Sequence, residues 1–137
     1  MGTREHTRER LRVLLDACPE VATAYLFGSA VTSASPRDLD VAVVFAEDTG
    51  DLSMSLGLQA TLESSLDQPV DLHEFDRLPL DLQFRIVQQG LVLVDRHPAQ
   101  RVRTEITVFV TFNDFRPYLE RIRTATRERL VAGANHG

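Results

Sequence analysis

Residues 25–45 read YLFGSAVTSASPRDLDVAVVF: an apolar run that stops at Gly28-Ser29, a polar loop, then Asp38-Leu39-Asp40 opening a second apolar run. In a strand, successive side chains alternate faces, so Asp38 and Asp40 share one face while Leu39, Val41 and Val43 take the other. Two ionised carboxylates at that spacing repel, and either one takes up a proton or a cation lies between them. Magnesium suits the arrangement, since it binds one or two carboxylates and fills its remaining positions with water and phosphate oxygens. Gly28 and Ser29 supply the other half. A glycine at a strand end lets phosphate approach the backbone, and the N–H groups and hydroxyl that follow can donate to it. Singly, each piece has a plainer explanation: Asp38 as a turn residue paired with Arg37, Asp40 as a charge protecting an edge strand. Taken in order, the pieces point to a metal site for a phosphorylated substrate.

A third acid strengthens this reading. Asp71 lies in mid-run in PVDLHEF, residues 69–75, with His73 on its face and Glu74 opposite. Three carboxylates suit two metal ions that clamp the attacking and leaving oxygens of an in-line displacement. Charge segregation agrees, because residues 38–81 hold eleven acids against one arginine within a chain of net charge -5.

Around these motifs the periodicity predicts a helix over about 4–17, a strand in VATAYLFGS and another in DLDVAVVF. A helix follows between Asp51 and Leu66, with Leu52, Leu56, Leu62 and Leu66 as its covered stripe. PVDLHEF is a third strand, PLDLQFRIVQQG a helix with Gly90 as a left-handed cap, and LVLVD a short fourth strand suited to an edge. Residues of about 98–131 are helical in pattern, and Pro117 predicts two helices there rather than one. Two apolar stripes run along this region: Val102, Ile106 and Phe109, and a second with Val108, Phe112, Phe115, Leu119 and Ile122. One can pack at home while the other meets a partner.

At 137 residues and 43% apolar, the chain is expected to form one domain. No run approaches a membrane span, the N-terminus lacks a signal-peptide core, and a cytoplasmic location is expected. The lone Cys18 excludes an internal disulfide and reads as packing. The acidic balance disfavours direct nucleic-acid binding; the arginines from Arg116 to Arg129 read as a solvated or partner-facing helix.

The succession YLFGS, DLDVAVVF, PVDLHEF resembles the minimal nucleotidyltransferases of the polymerase β superfamily. RIVQQGLVLVD and VTFNDFRPYLERI are similar to that family's later helix, short strand and C-terminal helix. The resemblance implies an α+β fold with a small, mixed, mainly antiparallel sheet flanked by helices. It also implies an enzyme using ATP and magnesium, with two ions expected. Carried over, Asp38, Asp40 and Asp71 are the metal-binding catalytic residues, and Gly28 and Ser29 hold the triphosphate. The loop AVTSASPR is shorter than the family's and lacks its early arginine and glycine, and Arg37 is the candidate substitute. Relatives of this size are commonly antitoxins that transfer AMP to a tyrosine of a HEPN-type ribonuclease toxin. The toxin would dock through Phe112, Phe115 and Leu119. The alternative is an antitoxin that neutralises its partner by binding alone. Transfer to a small molecule ranks lower, since such relatives carry a further helical domain. Homo-oligomerisation stays open.

Overall fold

The structure, a computed structural model, describes residues 3–32, 38–47 and 52–135. In chain order its elements are α1 (Thr3–Asp16), β1 (Val21–Phe27), the short α2 (Ser29–Thr32), β2 (Leu39–Phe45) and α3 (Ser53–Leu66). They continue with β3 (Val70–Glu74), a 3-10 turn (Phe75–Arg77), α4 (Leu80–Gln89), β4 (Leu91–Asp95) and α5 (Pro98–Asn135).

The four strands form one sheet in the order β3-β2-β1-β4. β1 pairs antiparallel with both β2 and β4, while β2 and β3 run parallel. Parallel neighbours cannot be joined by a hairpin, and α3 makes the crossover between them. β4 lies at an edge, as its brevity suggests.

Strand alternation divides the core. Leu26 of β1, Leu39, Val41 and Val43 of β2, and Val70 and Leu72 of β3 face Leu11 and Leu15 of α1 and Leu62 and Leu66 of α3. Tyr25 and Ala42 face the opposite side, where Phe75, Ile86 of α4 and Val108 of α5 cover them. Tyr25 stacks on Phe75 at 5.5 Å between centroids and donates its O–H to Glu105 of α5 at 2.8 Å. Burial, then the neighbouring Glu105 carboxylate, pushes its pKa up. Arg101 ion-pairs with both Asp95 and Glu105, joining the edge strand to α5.

Three expectations need correction. Within α3, Leu62 and Leu66 are buried but Leu52 and Leu56 are 52% and 62% exposed. The buried face runs instead through Ser55, Leu62 and Leu66, with Leu58 packed partly against the core. Gly90 is not left-handed: its φ is -73°. Glycine is needed there because a Cβ would come within 2.6 Å of the Ile86 carbonyl oxygen and 3.3 Å of that of Leu26. The left-handed cap belongs to Asp67 after α3, with φ 50°.

The third correction concerns Pro117. α5 is one 38-residue helix with the proline inside it. Proline removes one backbone donor and leaves the Asn113 carbonyl without its intrahelical partner. Residues 113–118 are exposed, so water can satisfy that carbonyl and the helix need not end. Cys18, which falls just after α1, is half-buried against the core, and its thiol donates to Glu20 at 3.0 Å. Burial raises its pKa, as does the Glu20 contact; both keep it in the unreactive thiol form.

Candidate active site

The site forms at one end of the sheet, on the face covered by α4 and α5. Asp40 is the second residue of β2 and stands opposite Phe27 of β1 on one side and Asp71 of β3 on the other. The parallel register of β2 and β3 therefore places the two carboxylates as direct neighbours, and His73 joins them two residues further along β3. Ligand atoms of Asp40, Asp71 and His73 all lie within 4.8 Å of one another, a grouping able to hold a metal ion. His73 Nε2 is 3.9 Å from Asp71 Oδ2, and the His73 ring lies 5.8 Å from that of Phe27.

Asp38 is one residue ahead of β2 and exposed. It falls outside the three-residue grouping, yet it is near enough to act on Asp40. The Asp40 pKa is raised, first by burial and then by the charge of Asp71, with a smaller contribution from Asp38; His73 opposes them. The donor set is mainly oxygen and the charge of Asp71 works against the ionised form of Asp40, and both properties fit a hard divalent cation.

Gly28 follows β1 with φ +73°, in the left-handed region where other residues are strained. A Cβ there would lie 2.6 Å from Asp40 Oδ2. The glycine thus serves both the turn and the close approach of the carboxylate. Ser29 starts α2 and is exposed, while Ala30 is fully buried and pins the short helix to the core. The guanidinium of Arg8 in α1 donates to the carbonyls of Ala30 and Val31 at 3.1 and 3.0 Å, holding the end of α2.

Of the residues singled out in the sequence, Asp40 and Asp71 are brought together, Gly28 packs on Asp40, and Ser29 and Asp38 flank the cluster. Arg37 lies outside the described residues. His73 was legible from its alternation with Asp71, although the sequence reading assigned it no role. No sequence signal connects Arg8 to the Gly28 turn.

Along α5 the apolar residues separate into packed and exposed ones. Val108 is buried and Phe112 stacks on Phe84 of α4 at 4.0 Å, so the start of that stripe packs at home, while Ile122 further along it is exposed. Phe112 is therefore not a free docking residue. Val102, Ile106, Phe109 and Val110 are about half exposed, as are Phe115 and Tyr118, although the Phe109 ring also lies 5.7 Å from that of Phe84. Nothing is described for the Leu119 side chain.

A mixed sheet with Gly-Ser closing one strand and strand-borne aspartates on the next two defines a nucleotidyltransferase domain. The polymerase beta nucleotidyltransferase family model matches residues 9–99, and the chain belongs to that family. No curated protein matches it by sequence. Among solved structures it is similar to the toxin-antitoxin MntA-HepT, with TM-score 0.71 and 22% identity over 90% of this chain and 98% of that one. A complex of tri-AMPylated Shewanella oneidensis HEPN toxin with MNT antitoxin gives TM-score 0.72 and 23% identity, covering 91% of this chain and 99% of that one. A toxin-antitoxin structure with AMP-PNP gives 0.71 and 24%, covering 88% and 98%. These likenesses establish the polymerase β-like nucleotidyltransferase fold. No helix among the described residues is long and apolar enough to cross a membrane.

Proposed function

We propose that this protein transfers AMP from ATP to a hydroxyl, most simply a tyrosine, of a HEPN-type ribonuclease toxin and so acts as its antitoxin. The observation that carries the reading is the Asp40-Asp71 pairing across β2 and β3, set against the bare α-carbon of Gly28. Family membership supports nucleotidyl transfer. The similar structures bearing HEPN toxin and MNT antitoxin, one of them with an AMPylated toxin, support the partner and the acceptor.

In this reading Asp40 and Asp71, with Asp38 at the head of β2, would hold magnesium, with His73 in reach. Bound there, magnesium supplies neutralisation of phosphate charge and activation of the attacking hydroxyl. Gly28 and Ser29 hold the triphosphate through backbone N–H groups and the hydroxyl, and Arg37 adds charge from the end of the loop. The acceptor oxygen forms a bond to the α-phosphorus as the bond to pyrophosphate breaks. The exposed row Val102, Ile106, Phe109 of α5 takes the partner, with Phe115 exposed on the other stripe.

A second reading, neutralisation by binding alone, is favoured by one feature: the loop AVTSASPR has no early arginine or glycine. Mass spectrometry of the toxin after incubation of the purified pair with ATP and magnesium separates the two. An adenylate increment on a tyrosine is expected. An unmodified toxin that is nevertheless inhibited would overturn the transferase reading in favour of the second.

A further inference from the structure

A cleft of ≈ 530 Å³ opens beside the carboxylate cluster, between Phe27, Gly28 and Val31 on one wall and Leu82, Arg85, Ile86 and Gln89 of α4 on the other. The two sites meet at Gly28, whose α-carbon faces Asp40 and also lines the cleft. Positions 82, 85, 86 and 89 share one face of α4. The helix therefore presents an apolar base, Leu82 and Ile86, and two side chains with donors, Arg85 and Gln89.

Arg85 is exposed and makes no hydrogen bond or ion pair with any described residue. Two other arginines are already engaged. Arg8 holds the carbonyls of α2, and Arg77 pairs with Glu74 at 2.7 Å. An unpaired guanidinium on the wall facing the Gly28 turn, beside a cluster suited to a cation, has the charge and planar fork that phosphate oxygens bind.

We infer that Arg85 binds the terminal phosphates of the nucleoside triphosphate from α4 and sets the preference of the site for a triphosphate over a monophosphate. The inference rests on the nucleotidyl-transfer reading. It assigns to α4 the cationic contact that the short loop after Gly28-Ser29 does not offer near its start. Charge on the β- and γ-phosphates increases as pyrophosphate separates, so a fixed guanidinium there also favours the leaving group.

Titration calorimetry with magnesium present, using a non-hydrolysable ATP analogue and AMP as the two probes, tests this on wild-type protein, Arg85→Ala and Arg85→Lys. Arg85→Ala is expected to weaken analogue binding on the order of 10- to 100-fold and to leave AMP binding unchanged, with Arg85→Lys intermediate. Equal weakening for both probes would assign Arg85 to the base, the sugar or the fold and overturn the inference; unchanged analogue binding would overturn it as well. Wild-type protein that binds neither probe would overturn the transferase reading and this contact together, an outcome distinct from failure of the contact alone.

Discussion

At Gly28 two constraints coincide, a positive φ and a carboxylate 2.6 Å from where a Cβ would stand. Alanine would add about 1–2 kcal/mol of backbone strain and would push Asp40 out of line with Asp71. Gly28→Ala is thus expected to lower both thermal stability and AMP transfer, measured by calorimetry and by mass spectrometry of the acceptor. Asp40 separates the two effects. Its raised pKa means that ionisation costs the folded state stability: the cost is absent below the ordinary aspartate range and fully present above the raised value. At neutral pH without divalent cations, Asp40→Asn should therefore leave the melting temperature equal to or above that of wild type. Under the proposed function it should also abolish transfer and the rise in melting temperature expected of wild-type protein on adding magnesium. A melting temperature clearly below wild type would contradict the assignment of repulsion at this carboxylate. The aspartates were legible because charge is conspicuous in an apolar alternating run. Arg8 was not, since it acts on carbonyls 22 and 23 residues away through tertiary approach alone.

Elements matter here chiefly through register. The parallel step from β2 to β3 sets Asp40 beside Asp71; a one-residue slip would send Asp71 to the opposite face. Strand positions could be read from composition, but not the pairing partner, which depends on the α3 crossover. Helix faces were less legible for a related reason: Leu52 and Leu56 are as apolar as Leu62, yet they line an open cleft beside β3 and Leu78 instead of packing into the core. Pro117 misled similarly, because the penalty that ends a buried helix is reduced where water can satisfy the freed carbonyl. What ties α5 to the sheet is polar: Asp95 of β4, Arg101 and Glu105 of α5, and the Tyr25 hydroxyl of β1. Arg101→Ala leaves two partly buried carboxylates without their cation, at a cost of about 1–3 kcal/mol. Tyr25→Phe keeps the stacking on Phe75 and loses only one hydrogen bond, so urea titration should show it to be the milder change.

At the scale of the molecule, α5 carries most of the large apolar side chains left exposed among the described residues. α5 is about 57 Å long at 1.5 Å per residue, more than the sheet beneath it can cover. Its inner row is engaged: Val108 is 6% exposed and Phe112 lies on Phe84. On its outer row, Ile106 is 57% exposed, and under the proposed function this row is the docking surface. The two rows give opposite expectations for the same kind of measurement. Phe112→Ala should destabilise the isolated protein by about 1–2 kcal/mol, less than a fully buried phenylalanine, and should disturb partner binding only through that loss. Ile106→Glu should leave the melting temperature within a few degrees of wild type, because the side chain already faces water. Under the proposed function it should nevertheless abolish co-purification with a co-expressed HEPN-type toxin partner, since it sets an unpaired charge in an apolar contact. Unimpaired co-purification of Ile106→Glu, together with loss in a stable Phe115→Glu variant, would move the docking surface towards the C-terminal half of α5. Retention in both would remove the helix from the interface altogether.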